Sequence, residues 1–160
     1  MTPSTPILEA EPAPNLALVD VVHDLFSATF LRVQPTLAEE GITKVQFWAL
    51  HTISKLGAAP LGTVARYLGV SPPTVCTNID MLEAEGLVRR ARTEKDHRTV
   101  ELSLTPRGRR VEARIRRDIA RLMSEAVVGI PERDLLVAVR VFRAITEGLR
   151  PAATARRRAP

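Results

Sequence analysis

The chain has 160 residues, 45% of them hydrophobic, and carries 23 Lys and Arg against 18 Asp and Glu for a net charge of +5. That is enough apolar material for a core in a single domain. The lone cysteine, Cys76, excludes an internal disulfide framework and a cysteine-based zinc cluster, and no metal site is expected.

No apolar run is long enough to span a membrane, and the N-terminus lacks a signal-peptide pattern, so a cytoplasmic protein without membrane contact is expected. Nearly all the positive charge is arginine, with Lys44, Lys55 and Lys95 the only lysines. Arginine makes forked contacts to phosphate and guanine, although it can also be a compositional habit.

Residues 1–14 are rich in proline and read as a disordered arm. A helix is predicted from Leu16 to Glu40, where Val19, Val22, Phe26, Phe30, Val33 and Leu37 form one stripe and Leu18, Val21, Leu25 and Ala28 a second. A helix apolar on two faces must be covered twice. Pro35 should kink or interrupt it, and Gly41 should stop it. Thr43 and Gln46 form a capping-box pattern opening a helix through about Lys55. Leu61–Leu68 reads as a short helix capped by Gly62.

Ser71 is then a good N-cap and Pro72 suits the first position of a helix ending at Gly86. Val75, Ile79 and Leu82 share one side of it; Pro73, Thr74, Thr77 and Met81 lie opposite. From Val88 to Thr105 two short alternating strands flank a long charged tip, with Val88, Val100, Leu102 and Leu104 as the apolar positions. Two short helices followed by a hairpin is the order of a winged helix-turn-helix.

Pro106 opens an arginine-rich helix to about Val128, with Val111, Ile115, Ile119 and Leu122 on its apolar face. Glu112 with Arg116, Arg114 with Asp118 and Arg121 with Glu125 stand four apart and should pair along it. Its arginines read as a solvated face or as an extension of a nucleic-acid footprint. Pro131 starts a last helix striped by Leu135, Val139, Phe142, Ile145 and Leu149. Residues 151–160 form a basic tail expected to be disordered.

The segments ITKVQFWAL (42–50), VARYLGVSPPTV (64–75), MLEAEGLVRR (81–90), DHR (96–98) and LSLTPRG (102–108) follow, in order and spacing, the pattern of the MarR family of bacterial transcription regulators. The chain resembles that family over its central half. The resemblance implies a mainly α fold with a small β-hairpin wing: a winged helix-turn-helix core (42–105) flanked by dimerisation helices (15–40 and 107–149), all in one domain spanning 15–150. It also implies a homodimer in which the first and last helices interlock while two winged modules read successive half-sites of a palindromic operator in double-stranded DNA. The unpartnered apolar stripes ask for the same twofold pairing, which would set two reading helices about 34 Å apart.

The expected DNA contacts follow. Ser71, Pro73, Thr74, Thr77 and Asn78 lie at the start and on the open side of the reading helix, where Thr can meet a thymine methyl and Asn can read adenine. The family often has arginine near Thr77, and this departure shifts weight to the wing. There, Arg92 and Lys95 are placed to meet phosphates. Arg98 matches the family's minor-groove arginine, and Asp96 the carboxylate that steadies the loop. Arg89 and Arg90 belong either to the wing base or to the surface.

His23, His51 and Trp48 are candidates for lining a cleft between the dimer helices and the winged core, where family members often bind small aromatic or phenolic effectors. The alternative for the histidines is simple packing or exposure, and Trp48 also reads as a core residue. Cys76 is either a small packing residue or a redox switch. No nucleophile elbow, phosphate loop or carboxylate pair is present, so neither an enzyme nor a cofactor is expected. The expectation is a repressor; the competing readings are a winged helix used for protein–protein contact and a redox-responsive regulator acting through Cys76.

Overall fold

The computed structural model describes residues 13–92 and 100–149. Its elements run α1 (Pro14–Glu39), α2 (Lys44–Leu56), β1 (Ala59–Pro60), α3 (Leu61–Leu68), α4 (Pro72–Ala84), β2 (Val88–Arg92), β3 (Val100–Leu104), α5 (Pro106–Ala126) and α6 (Glu132–Gly148). The fold is mostly helical with one small antiparallel sheet, as expected. The chain divides into two compact units, Met1–Leu122 and Met123–Pro160. The predicted tail and all but the end of the predicted arm lie outside the described residues. Pro14, assigned to that arm, is instead the first residue of α1, where its missing N–H costs nothing.

Local chemistry sets most of the boundaries. Gln46 N–H donates to Thr43 Oγ1 at 3.2 Å, and Thr43 N–H donates to Gln46 Oε1 at 2.7 Å, which closes the capping box at α2. Of the two outcomes expected at Pro35, a kink or an interruption, the interruption does not occur: α1 continues through Pro35 to Glu39. Pro35 is exposed, so the helix loses one backbone bond on a side that water can reach. Gly62 is no cap either. Pro60 occupies that position without a side-chain bond, and Gly62 lies inside the first turn of α3. The α3–α4 turn depends on Gly69, whose φ of 67° is a left-handed conformation that glycine adopts without strain.

The core of the first unit is built from the inward faces of α2, α3 and α4. Phe47, Leu50, Ile53, Val64, Val75, Ile79 and Leu82 are each almost wholly buried there. The sheet closes one side in the order β1-β3-β2, with Val88 opposite Leu104 and Arg92 opposite Val100. Val88, Leu102 and Leu104 face the core as predicted, whereas Val100 is 41% exposed. Strand β1 was not foreseen: Ala59 and Pro60 pair with Leu102 and Glu101 and give the hairpin a third strand.

Helix α5 joins this core through Val111 and Ile115. Two of its expected i,i+4 ion pairs give way to partners on other helices. Glu112 bonds His51 of α2, and Arg114 reaches the end of α1, where it bonds Glu40 at 2.6 Å and also Glu39. Both carboxylates, Glu40 foremost, hold the Arg114 guanidinium above its usual range. Thr36 donates to Asp118 Oδ2 at 2.7 Å beside them. These longer-range pairs tie α1 to α5 across the surface of the core.

The corner between β3 and α5 explains the LSLTPRG segment. Thr105 N–H donates to the Leu87 carbonyl at 3.1 Å and Thr105 Oγ1 to the Gly86 carbonyl at 2.7 Å, while Gly108 N–H donates to Thr105 Oγ1 at 3.0 Å. A Cβ on Gly108 would lie 1.9 Å from the Leu87 carbonyl oxygen, so only glycine fits. Gly108→Ala is therefore expected to lower the unfolding free energy by about 1–3 kcal/mol. An unchanged urea midpoint would show that this corner can yield.

Candidate nucleic-acid interface and adjoining cavity

Helix α4 buries Val75, Ile79 and Leu82 and turns its other side to solvent. Of the predicted contacts on it, Ser71, Pro73, Thr74 and Thr77 are exposed and Asn78 is half-buried, all within two turns of the helix start. Each polar one is already bonded within the helix. Ser71 Oγ accepts from Thr74 N–H at 3.4 Å as the N-cap and meets Thr74 Oγ1 at 2.7 Å. Thr77 Oγ1 donates to the Pro73 carbonyl at 3.2 Å, and Asn78 Nδ2 donates to the Thr74 carbonyl at 2.8 Å. Pro72 and Pro73 fix the first turn and bring no N–H groups of their own. The helix carries no Lys or Arg, and its charges are Asp80 and Glu83.

Positive charge comes from beside it. Arg92 is exposed at the end of β2, and Arg89 donates from Nε to Ser103 Oγ across the strands at 2.9 Å. Lys95, Asp96 and Arg98 lie outside the described residues. Arg90, left undecided between wing base and surface, belongs to the base. Its Nη1 donates to Glu83 Oε2 and its Nη2 to Asp80 Oδ1, each at 2.6 Å, and its backbone N–H meets Glu83 Oε1 at 3.2 Å. The pairing, with the Asp80 bond the main contribution, keeps the guanidinium above its ordinary range. Cys76 is half-buried, its Sγ 3.9 Å from Asp80 Oδ2.

A cavity of about 380 Å³ opens where α1 meets α2 and α3, lined by Phe26, Trp48, His51, Lys55 and Tyr67 among others. Phe26 stacks on Trp48 with ring centres 5.8 Å apart, and the His51 and Trp48 rings meet in a T-shaped arrangement with centres 5.7 Å apart. Lys44 Nζ stands 5.0 Å over the Phe26 ring, a cation–π contact. Two of the three predicted lining residues, Trp48 and His51, are here. His23 is not among the cavity's lining residues: it is exposed on α1 beside Asp24. Phe26, Lys55 and Tyr67 were missed as lining residues; Phe26 of α1 and Tyr67 of α3 come against α2 only in the folded chain.

Two buried polar features border the cavity. His51 Nδ1 and Glu112 Oε1 are hydrogen-bonded at 2.8 Å, the carboxylate only 7% exposed. The Trp48 Nε1–H is buried with no hydrogen-bond partner among the described residues. A buried donor left unsatisfied costs about 1–3 kcal/mol. Among the described residues no group of three or more His, Cys, Asp or Glu could hold a metal ion, and no helix is long and apolar enough to cross a membrane.

A short α3, a tight glycine turn, an exposed-sided α4 and an adjoining antiparallel hairpin define a winged helix-turn-helix protein. Residues 40–99 match the family model described as MarR family. That match covers the winged core of the chain. It is similar to the HTH-type transcriptional repressor MdtR of Bacillus subtilis, at 33% identity over 51% of this chain and 55% of that protein, so it spans about half the length of this curated relative. Its fold matches that of Streptococcus pneumoniae FabT solved in complex with DNA, at TM-score 0.68 and 22% identity over 84% of this chain and 96% of the other. It likewise matches Bordetella bronchiseptica BpsR, whose DNA binding is regulated by 6-hydroxynicotinic acid, at TM-score 0.66 and 21% identity over 81% and 98% of the two chains.

The His51–Glu112 pair generates a stability prediction. His51→Ala leaves the Glu112 carboxyl buried without its partner and should cost about 1–3 kcal/mol. Urea unfolding at neutral pH measures this, and a loss within a few tenths of a kcal/mol would mean that water replaces the imidazole.

Proposed function

We propose that the protein is a DNA-binding transcriptional repressor that occupies a palindromic operator as a homodimer and is released by a small aromatic effector. The observation that carries this reading is the exposed face of α4, with Ser71, Thr74, Thr77 and Asn78 beside a basic hairpin, in a MarR-family core. In the proposed complex α4 enters the major groove. Thr74, Thr77 and Asn78 exchange their intrahelical bonds for base edges, while Arg92 and Lys95 meet phosphates and Arg98, steadied by Asp96, enters the minor groove. In this reading the protein acts in the cytoplasm.

Homodimer formation through the helices at 15–40 and 107–149 is supported by apolar side chains left in water. On α1, Leu16, Val19, Val22 and Leu25 are exposed and Leu31 is 77% exposed; on α6 no residue is buried. Exposed apolar stripes of this length mark an interface. The cavity beside Trp48 suits a flat aromatic ring, with Lys55 at its lining for an anionic group. A ligand bridging α1 and α2 there would favour one angle between the dimer helices and the winged core, and so one spacing of the two reading helices.

Selection from a random duplex pool, followed by mobility shifts, tests the DNA reading. Arg98→Ala should weaken binding to the selected duplex by about 1–3 kcal/mol while sedimentation still reports a dimer. Enrichment of no sequence by the wild type would overturn the reading. Trp48 is the only tryptophan, so its fluorescence reports directly on the cavity. Titration with benzoate or phenol should change its emission saturably and release the selected duplex, and Phe26→Ala should weaken both responses. Emission that follows ring concentration linearly, as in collisional quenching, would exclude the cavity as the effector site.

A further inference from the structure

We propose that Arg90 is a positioning residue for DNA binding: by bracing β2 against Asp80 and Glu83 of α4, it fixes the wing relative to the reading helix so that both reach one duplex together. This rests on the DNA-binding reading above.

Three observations carry it. The first is the fork: two guanidinium nitrogens engage two carboxylates one turn apart on α4, both at 2.6 Å, and the Arg90 backbone N–H bonds one of the same carboxylates. Such planar two-point pairing fixes direction as well as distance, which a lysine ammonium does not. The second is position. Arg90 stands opposite Leu102 in the ladder, between the buried end of the sheet at Val88 and the exposed end at Arg92. It is the brace nearest the tip among the described residues of β2, and a small rotation about the sheet base is magnified beyond it. The third is charge. Asp80 and Glu83 are 57% and 38% exposed on a helix without a basic residue.

The third point gives the proposal a sign that distinguishes it from the obvious alternatives. If Arg90 met a phosphate directly, freeing it from Asp80 and Glu83 would strengthen DNA binding. If only net charge mattered, removing two carboxylates from the reading helix would also strengthen it. A brace predicts the opposite: the Asp80→Asn, Glu83→Gln double variant binds more weakly although it is more positive.

The experiment compares the full-length wild type, that double variant, Arg90→Gln and Arg90→Lys on the duplex that the wild type selects from a random pool. Hydrogen exchange of the free proteins is measured alongside. The double variant and Arg90→Gln should each lose about tenfold in affinity. Amides of β2 and β3 should exchange faster in both, with those of α2 and α5 unchanged, and Arg90→Lys should recover part of the affinity. Tighter or unchanged binding by the double variant overturns the proposal, as does weaker binding with unaltered exchange in the strands. If the wild type enriches no sequence, the DNA-binding reading itself fails and takes the brace's purpose with it. If it does enrich one and the variants bind like wild type, only the brace is refuted.

Discussion

The corner between β3 and α5 leaves no room for a side chain, and much of the first unit is arranged around that fact. Gly108 sits against the Leu87 carbonyl while the Thr105 hydroxyl joins Gly86 to the new helix. This fixes where α5 starts and in which direction it leaves the sheet. The same helix then delivers Glu112 to His51 and Arg114 to the end of α1. One backbone contact therefore relates the wing, the cavity wall and the first helix to one another.

The cavity occupies a position that this arrangement makes consequential. Its lining comes from three helices, and its polar border is the His51–Glu112 pair that also holds α2 to α5. A guest in this cavity would touch the same rings that pack α1 against α2. Binding and inter-helix geometry would then share one set of contacts, which is the requirement for coupling between a ligand site and a distant surface.

Much of the molecule was legible in the sequence, for identifiable reasons. Periodicity located the helices, and Thr43, Ser71 and Gly69 carry their boundary signals in their own side chains or their lack of one. Strand β1 was not legible because two residues, one of them proline, have no alternation to detect. The partners of Glu112 and Arg114 were misassigned because helical spacing proposes neighbours on the same helix, whereas burial of the Glu112 carboxyl favours a partner across the core. His23 was grouped with His51 by residue type alone, and the fold separates an exposed position of α1 from the α2 face. In the candidate interface, Ser71, Pro73, Thr74 and Thr77 are exposed as their spacing suggested and Asn78 is half-buried, while the service of Arg90 to Asp80 and Glu83 depends on a turn at Gly86 that folds β2 back alongside α4.

The Thr74, Thr77 and Asn78 side chains of α4 are uncharged, and in the proposed complex this has a consequence for how such a protein diversifies. In the proposed complex its discriminating groups are hydroxyls and one amide, and the cations stand on the hairpin. Residence on DNA in general and choice among sequences are thus vested in different segments. Exchanges among Thr74, Thr77 and Asn78 alter no charge and remove no core contact. A lineage could move through them from one operator to another without passing through a form that has lost its hold on the chromosome.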